Sequence, residues 1–258
     1  MDRIVFLGTG GARNVMTSQV LSTGGFILEI KNTLLSVDPG PGAVLRAAQE
    51  KINISRLDGV LISHRHLDHC GDVNVMIEAM TRGGFRKKGM VFAPRQALSD
   101  DPVVLNYLRN YVENIQPIEG LKFYRCCSLE FKTSMPHKHG DAETYGFIFY
   151  GGDYSLSYIP DTRYFNELSE FYRSDISIIS TLMLQRNKNI DHLSVPDVIS
   201  LIKEHKPQAA ILTHFGMQIY KTGVDIVADK ISQAAGIKVI AAKDGMIINL
   251  KELLASVN

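Results

Sequence analysis

Cysteine, net charge and long apolar runs are all scarce in this chain of 258 residues. Its three cysteines, Cys70, Cys126 and Cys127, are too few for a disulfide framework and fit a reducing compartment. A formal net charge of +1 gives no overall attraction for nucleic acids or membranes. No apolar run approaches the roughly 18–20 residues of a membrane span, and Met1–Ile4 lacks the layout of a signal peptide. We therefore expect a cytoplasmic protein that is not bound to a membrane.

A histidine-rich segment stands out against this ordinary composition. The apolar residues Val60–Ile62 predict a short buried strand, and His64, His66, Asp68 and His69 follow it closely. Imidazole and carboxylate groups bind zinc and similar divalent cations at neutral pH. On an extended segment the first two histidines can point one way, while the aspartate and the third histidine turn toward a second ion. The segment predicts a two-metal site at a strand end; its alternative is a polar surface loop.

More histidines and an aspartate lie where other predicted strands end. His137 and His139 lie on a loop between two predicted strands, and Asp161 and His214 each follow a strand directly. Side chains at strand ends are well placed to converge on one site. The alternative for Asp161 is that it caps the helix that follows. The sequence thus offers further ligands from three separate loops.

Four other features bear on the site, and three of them have two readings each. Asp38 either forms a turn or supports a metal-binding histidine through the second ring nitrogen. His192 lies on a loop before a well-capped helix and is free to face a site. The basic loop Arg82–Lys88 is either a solvated turn or a contact for an anionic substrate. The Gly8–Gly11 segment is expected to form a tight turn at the edge of the active site rather than a nucleotide cradle.

The order of predicted elements indicates the fold class. Strands and helices alternate along the chain, with hairpins in each half, which predicts a layered α/β fold. Val103–Glu113 is predicted to be a helix, whereas Ala12–Ser18 carries no helical periodicity. No repeat, low-complexity tract or linker divides the chain, so we expect one domain over residues 1–258.

The pattern His-x-His-x-Asp-His after a hydrophobic strand resembles the signature of the metallo-β-lactamase superfamily. The resemblance covers essentially the whole chain and begins with Phe6-Leu7-Gly8-Thr9-Gly10-Gly11. It implies a four-layer αββα sandwich of two mixed β-sheets and a complete dinuclear metal site. The implied ligands of the first ion are His64, His66 and a middle histidine. Those of the second ion are Asp68, His69 and His214, with Asp161 bridging the two ions.

The identity of the middle histidine is open between two residues. The segment Gly140–Gly146 resembles the one that follows this ligand in relatives, and it favours His139 over His137. The other histidine would then support the ligands from outside. The resemblance implies two divalent cations, zinc first, with manganese or iron as alternatives because the same ligands serve all three metals.

His192 indicates the branch of the superfamily. It precedes His214 by 22 residues and resembles the extra histidine of the phosphodiesterase branch, which includes ribonuclease Z and small cyclic-phosphate phosphodiesterases. That histidine contacts the scissile phosphate and protonates the leaving oxygen. His139 and Asp161 are only 22 residues apart, which leaves no room for the tRNA-binding arm of ribonuclease Z. The cysteine cluster that small phosphodiesterases often carry is also missing.

The resemblance therefore implies a hydrolase of small anionic substrates. We expect a phosphodiester or cyclic phosphate, such as a nucleotide, to be attacked by a metal-bridging hydroxide, and structured tRNA to be disfavoured as a substrate. Asp68 would orient the hydroxide and His192 would act as the general acid. The alternative is a lactone, thioester or other acyl hydrolase, because the same hydroxide attacks a carbonyl carbon. A homodimer is expected from the family alone.

Overall fold

The computed structural model describes residues 2–99 and 102–257, and their strands form two sheets of seven strands each. In pairing order, the first sheet consists of β14 (Ile247–Asn249), β1 (Arg3–Phe6), β2 (Phe26–Ile30), β3 (Thr33–Val37), β4 (Gly59–Leu61), β5 (Met90–Pro94) and β6 (Asn114–Ile118). The second sheet consists of β13 (Lys238–Ala241), β12 (Ala209–Thr213), β11 (Ile176–Ser180), β10 (Ser155–Ile159), β9 (Phe147–Tyr150), β8 (Leu129–Thr133) and β7 (Phe123–Cys126). Each sheet contains both parallel and antiparallel pairs, so both are mixed.

The helices lie mainly on the outer faces of the two sheets, but the last of them packs against the core between the sheets. They are α1 (Ala12–Ser18), α2 (Ala43–Gln49), α3 (Leu67–Cys70), α4 (Val73–Thr81), α5 (Glu167–Phe171), α6 (Val195–His205), α7 (Met217–Thr222), α8 (Val224–Ala235) and α9 (Leu250–Ala255). One apolar core lies between the sheets, a second lies between the first sheet and α2 and α4, and a third lies between the second sheet and α5, α6 and α8. The predicted four-layer αββα sandwich is confirmed.

Burial on both faces explains the composition of the central strands. Every residue of β11 and β12 is buried, because the first sheet covers one face of these strands and helices cover the other. Between the sheets, aromatic rings pack among a larger number of aliphatic side chains. The ring centroids of Phe92 and Phe131 are 5.1 Å apart, and those of Phe131 and Phe149 are 5.8 Å apart. Phe131 therefore joins the two sheets.

The expectation that Ala12–Ser18 is not helical is wrong. This segment forms α1, although Val15 is its only buried residue. A tertiary contact stabilises the start of the helix, since the backbone N–H of Ala12 donates to Asp68 Oδ2 at 2.8 Å. A seven-residue helix held in this way needs no hydrophobic periodicity of its own.

The helix predicted over Val103–Glu113 is also wrong. The structure has a short 3₁₀ turn at Asn106–Asn110, and strand β6 begins four residues later, at Asn114. Side chains replace helical hydrogen bonds here: Asn74 Nδ2 donates to the carbonyl of Val103, and Arg109 Nη2 donates to that of Leu98. In the part of the chain that the structure describes, no helix combines the length and apolar character needed to cross a membrane.

Replacing the ring that joins the sheets is expected to destabilise the fold. Phe131→Ala removes a fully buried aromatic ring and should lower the free energy of unfolding by about 3–5 kcal/mol. Urea unfolding monitored by circular dichroism measures this loss. Phe123→Ala, on the neighbouring strand with 59% exposure, is the matched control and should cost less than about 1 kcal/mol. Equal losses in the two variants would contradict the placement of the core.

Candidate metal centre

Four loops meet at the same end of the two sheets. Asp38 follows β3, the segment His64–His69 follows β4, Asp161 follows β10 and His214 follows β12. In layered α/β folds, the carboxyl ends of strands are where functional loops gather. The first sheet supplies two of these loops and the second sheet supplies the other two, so the site lies at the junction of the sheets.

One group of possible ligands consists of His64, His66 and His139. His66 Nδ1 lies 3.1 Å from His64 Nε2 and 3.0 Å from His139 Nε2. Nitrogens at these separations can all reach one ion, since zinc–nitrogen bonds are about 2.0–2.1 Å long. The three histidines therefore fit one divalent cation.

The second group consists of Asp68, His69, Asp161 and His214. The Nε2 atoms of His69 and His214 are 3.0 Å apart, and Asp68 Oδ2 lies 3.3 Å from His214 Nε2. Two imidazoles and two carboxylates form a mixed N/O ligand set of the kind that zinc, manganese and iron accept. This group fits a second cation beside the first.

Asp161 lies between the two groups. Its Oδ2 atom is 3.3 Å from His69 Nε2, 3.7 Å from His139 Nε2 and 3.9 Å from His64 Nε2. Its Oδ1 atom is buried and lies 3.3 Å from His214 Nδ1 and 3.5 Å from His192 Nδ1, but it makes no hydrogen bond of good geometry with a described residue. A buried carboxylate oxygen without a partner is costly unless a cation compensates it. The geometry therefore fits a carboxylate that bridges two cations.

The protonation states suit metal binding at the first group. Burial lowers the pKa of His64, His66 and His139, and the neighbouring imidazoles lower it further. Each of these rings is therefore neutral near pH 7 and has a lone pair to offer. Metal ligation requires this state.

The carboxylates of the second group are ionised. Burial raises the pKa of Asp161 and of Asp68, but the adjacent imidazoles, His214 and His69 above all, outweigh burial and lower both values. Burial lowers the pKa of His69, yet the charges of Asp161, Asp68 and Asp38 outweigh it and raise the value. A proton and a cation therefore compete for Nε2 of His69.

Asp38 supports a ligand from outside the cluster. Its Oδ2 atom accepts hydrogen bonds from His69 Nδ1 at 2.9 Å and from the Tyr158 hydroxyl at 2.9 Å. Ser63 donates to both carboxylate oxygens, through its backbone N–H at 2.6 Å and its hydroxyl at 2.6 Å. These bonds turn the ring of His69 so that Nε2 faces the cluster. Of the two readings of Asp38, the geometry favours the supporting role.

The two middle histidines have different surroundings. His139 donates from Nδ1 to the carbonyl of Asp191 at 3.0 Å, which leaves Nε2 to face the cluster. Both nitrogens of His137 are engaged elsewhere, Nε2 with the Tyr172 hydroxyl at 2.6 Å and Nδ1 with the carbonyl of Asp161 at 3.1 Å. The geometry favours His139 as the ligand, which stays a prediction. His137 instead contacts the backbone carbonyl of Asp161.

An ion pair that sequence reasoning missed holds the His139 loop. Asp191 Oδ1 accepts from Arg163 Nε at 2.7 Å, and Asp191 Oδ2 accepts from the backbone N–H of Gly140 at 2.8 Å. The loops that carry His139, Asp161 and His192 are thereby tied together. The only signal in the sequence was the position of Asp191 directly before His192.

The glycine-rich turn packs against the cluster. A Cβ atom on Gly11 would lie 2.2 Å from His214 Nδ1, so only glycine lets the chain pass the ring. The next residue, Ala12, donates its N–H to Asp68 as described above. The turn therefore lies at the edge of the site, where it was predicted.

His192 lies on the more accessible side of the cluster. Its Nδ1 atom is 3.5 Å from Asp161 Oδ1, and its side chain is 14% exposed. Its ring lies 4.8 Å from that of His139 and stacks on that of His214 at 5.8 Å, centroid to centroid. Burial lowers the pKa of His192, but the charge of Asp161 outweighs it and raises the value. His139, Asp161 and His192 also form a third group that could hold a cation.

The basic loop Arg82–Lys88 lies away from the cluster. It leads into β5, whose first residue, Met90, pairs with Gly59 at the start of β4. The metal-binding segment follows the other end of β4. The loop therefore lies at the end of the first sheet opposite the metal centre, and its contact with an anionic substrate stays a prediction.

Comparison with known proteins agrees with this geometry. A family model described as a β-lactamase superfamily domain matches residues 33–215. The chain belongs to the metallo-β-lactamase superfamily. It is 32% identical over 260 residues to the uncharacterized protein MJ1374 of Methanocaldococcus jannaschii, covering 96% of this chain and 94% of that protein. A stretch of 72 residues is 41% identical to ribonuclease Z of Methanopyrus kandleri, covering 27% of this chain and 25% of that enzyme.

Solved structures show the same fold. The metallo-β-lactamase fold protein YhfI from Bacillus subtilis superposes with a TM-score of 0.77 at 19% identity, covering 96% of this chain and 98% of YhfI. A diphosphatase of the PhnP family superposes with a TM-score of 0.71 at 18% identity, covering 97% of this chain and 98% of the diphosphatase. The superfamily and the likeness to ribonuclease Z that the sequence predicted are confirmed. Family and cluster together indicate a metal-dependent hydrolase that binds divalent metal.

Asp38 provides a test of the second metal position. Asp38→Asn keeps the shape of the side chain but removes the negative charge that accepts the hydrogen bond of His69. The affinity of the protein for one of its two metals should fall by about 10- to 100-fold. Competition with a chelator for zinc measures this change. Asp141→Asn is the matched control, because the Asp141 carboxylate is exposed and contacts Arg65 at 3.3 Å. Equal affinities in the Asp38 variant and the wild type would contradict the supporting role.

Proposed function

We propose that this metal-dependent hydrolase binds two cations and cleaves phosphodiester bonds in small anionic substrates, such as a nucleotide or a cyclic phosphate. The observation that carries the proposal is the position of His192. It lies beside Asp161 and on the more accessible side of the cluster, where a substrate bound to the metals would meet it. A histidine there is a proton donor within reach of a leaving oxygen.

The proposed ligands follow the two groups of converging side chains. The first cation would be held by His64, His66 and His139. The second would be held by Asp68, His69 and His214, with Asp161 shared between the two. Zinc is the proposed metal, because imidazole nitrogens outnumber carboxylate oxygens in the cluster.

The residues of the chain would divide the chemistry between them. Two divalent cations bound here would lower the pKa of a water molecule and neutralise charge on the phosphoryl oxygens. Asp68 accepts the N–H of Ala12 and would help to hold the second cation, so its carboxylate would also be placed to orient the attacking water. His192 would hold a proton at the ring nitrogen that does not face Asp161 and donate it to the departing oxygen.

Two similarities support a phosphorus substrate over a carbonyl one. Ribonuclease Z and a PhnP-family diphosphatase, which resemble this chain in sequence and in fold respectively, are named for cleaving phosphate esters or anhydrides. We also propose that residues 1–258 form one domain. A cytoplasmic location is supported by Cys70, Cys126 and Cys127, which are all free thiols. The homodimer remains a proposal from the family.

The first test is hydrolysis of bis(p-nitrophenyl) phosphate by protein reconstituted separately with zinc and with manganese. Wild type should show metal-dependent turnover, and His66→Ala should lose both turnover and about one equivalent of metal. His205→Gln is the matched control, because His205 is buried on α6 beside Ser177 and away from the cluster. Protein that holds two metals and hydrolyses a lactone but no phosphodiester would support the acyl hydrolase instead.

A second test addresses His192. His192→Ala should lower turnover by roughly 10²- to 10⁴-fold on a phosphodiester with an alkoxide leaving group. The loss should be much smaller with p-nitrophenolate, a leaving group that needs no proton. Steady-state kinetics with both substrates and metal analysis of the variant measure this difference. Loss of metal would make His192 a ligand and contradict its assignment as the general acid.

A further inference from the structure

The basic loop Arg82–Lys88 carries the most exposed aromatic side chain among the described residues. Phe85 is 97% exposed, more than any other large hydrophobic side chain there. Arg82, Arg86 and Lys87 are also exposed, and none of them forms an ion pair among the described residues. An exposed aromatic ring flanked in sequence by exposed cations contributes no buried contact to the fold and lies away from the metal centre.

The loop is built to hold this ring in solvent. Thr81, at the end of α4, receives the N–H of Arg86 on its carbonyl at 3.0 Å and that of Gly84 on its hydroxyl at 3.3 Å. Gly83 and Gly84 have φ angles of 67° and 78°, which glycine adopts without strain. A Cβ on Gly84 would lie 2.8 Å from the ring of Tyr111, so the turn packs closely on that ring. Phe85 is therefore presented by a defined turn and not by a loose tail.

The surroundings of the loop are aromatic and carry excess positive charge. Tyr107 is 55% exposed, and its ring lies 6.0 Å from that of Tyr111. Two carboxylates lie near the loop. Glu78 accepts from the Tyr107 hydroxyl at 3.3 Å and keeps its negative charge, and Asp58 faces Lys88 at 3.9 Å. The unpaired cations are thus those that flank Phe85.

We propose that this loop binds single-stranded nucleic acid. An unpaired base would stack on Phe85, and the phosphates on either side would contact Arg82, Arg86 and Lys87. Aromatic rings beside cations are how proteins hold single strands without reading their sequence. Only a single strand offers the open face of a base, whereas a duplex hides it. Binding to a membrane would be weak, because a single ring offers only a small apolar area for insertion.

The loop and the metal centre lie at opposite ends of β4 and β5. Binding at the loop therefore goes beyond the proposed hydrolysis and does not depend on it. A chain with a net charge of +1 would not attract nucleic acid as a whole, so binding must come from this local patch.

The test is fluorescence anisotropy with a labelled 15-nucleotide oligouridylate. The oligomer carries 2′-O-methyl and phosphorothioate groups that resist hydrolysis, and a DNA oligomer and a blunt duplex are run in parallel. Metal-loaded wild type should bind both single strands and bind the duplex more weakly. Phe85→Ala should weaken binding by about 5- to 100-fold, and Phe85→Trp should keep it. Arg86→Ala should reduce the slope of log K against log salt by about 0.7.

Two matched variants test whether the loss of any exposed aromatic ring or any exposed cation would have the same effect. Phe123→Ala removes an exposed phenylalanine on β7, and Lys230→Ala removes an exposed cation on α8; neither should change the affinity. Four outcomes would overturn the proposal. The first is that wild type does not bind the oligomers at 50 mM salt, and the second is that the Phe85 and Phe123 variants have equal effects. The third is that the protein binds anionic vesicles through Phe85 but does not bind the oligomers. The fourth is that Phe85 mediates a dimer while the oligomers are not bound. Turnover of bis(p-nitrophenyl) phosphate is measured on the same samples, so failure of the loop and failure of the metal centre are distinguishable.

Discussion

The buried carboxylate of Asp161 is the constraint on which the rest of the site depends. An ionised carboxylate out of water needs positive charge or hydrogen bonds close by. Asp161 has one oxygen without a hydrogen-bond partner among the described residues, and Asp38 and Asp68 add two more carboxylates nearby. The imidazoles of His64, His66 and His139, whose pKa values burial lowers, cannot balance this charge. His69 and His192, whose pKa values the carboxylates raise, balance only part of it. Divalent cations would balance it, which is why the cluster is best understood as a metal centre.

The sandwich surrounds Asp161 with possible metal ligands, because it brings together strand ends that are distant in sequence. Asp38 and His214 both have positive φ angles, 49° and 59°, which are unfavourable for residues other than glycine. Each is held there by its surroundings: Asp38 by four hydrogen bonds, and His214 by the turn at Gly11 that leaves room for its ring. Local strain of this kind persists where the rest of the fold fixes the position.

Short-range patterns made much of the site predictable. The segment His64–His69 could be recognised because a strand and its loop are contiguous, and Asp161 and His214 because each follows an apolar strand. The choice between His137 and His139 depends on Tyr172, a contact between residues 35 positions apart that no local pattern contains. The same holds for the pair of Arg163 with Asp191. Helix α1 was missed for a related reason, since a contact with Asp68 stabilises it.

The basic loop shows that the net charge of a chain does not reveal a local basic surface. A net charge of +1 argues against nucleic acid only if the charges are spread evenly. In the fold, carboxylates contact some cations, such as Arg3 with Glu29 and Arg163 with Asp191, and leave others free beside Phe85. The positive charge that is left without an ion pair, and not the net charge of the chain, determines which surface attracts a polyanion. Strand direction then separates the basic loop from the metal centre. The loops that lead into parallel strands lie at one end of the sheet, and the loops that follow those strands lie at the other end.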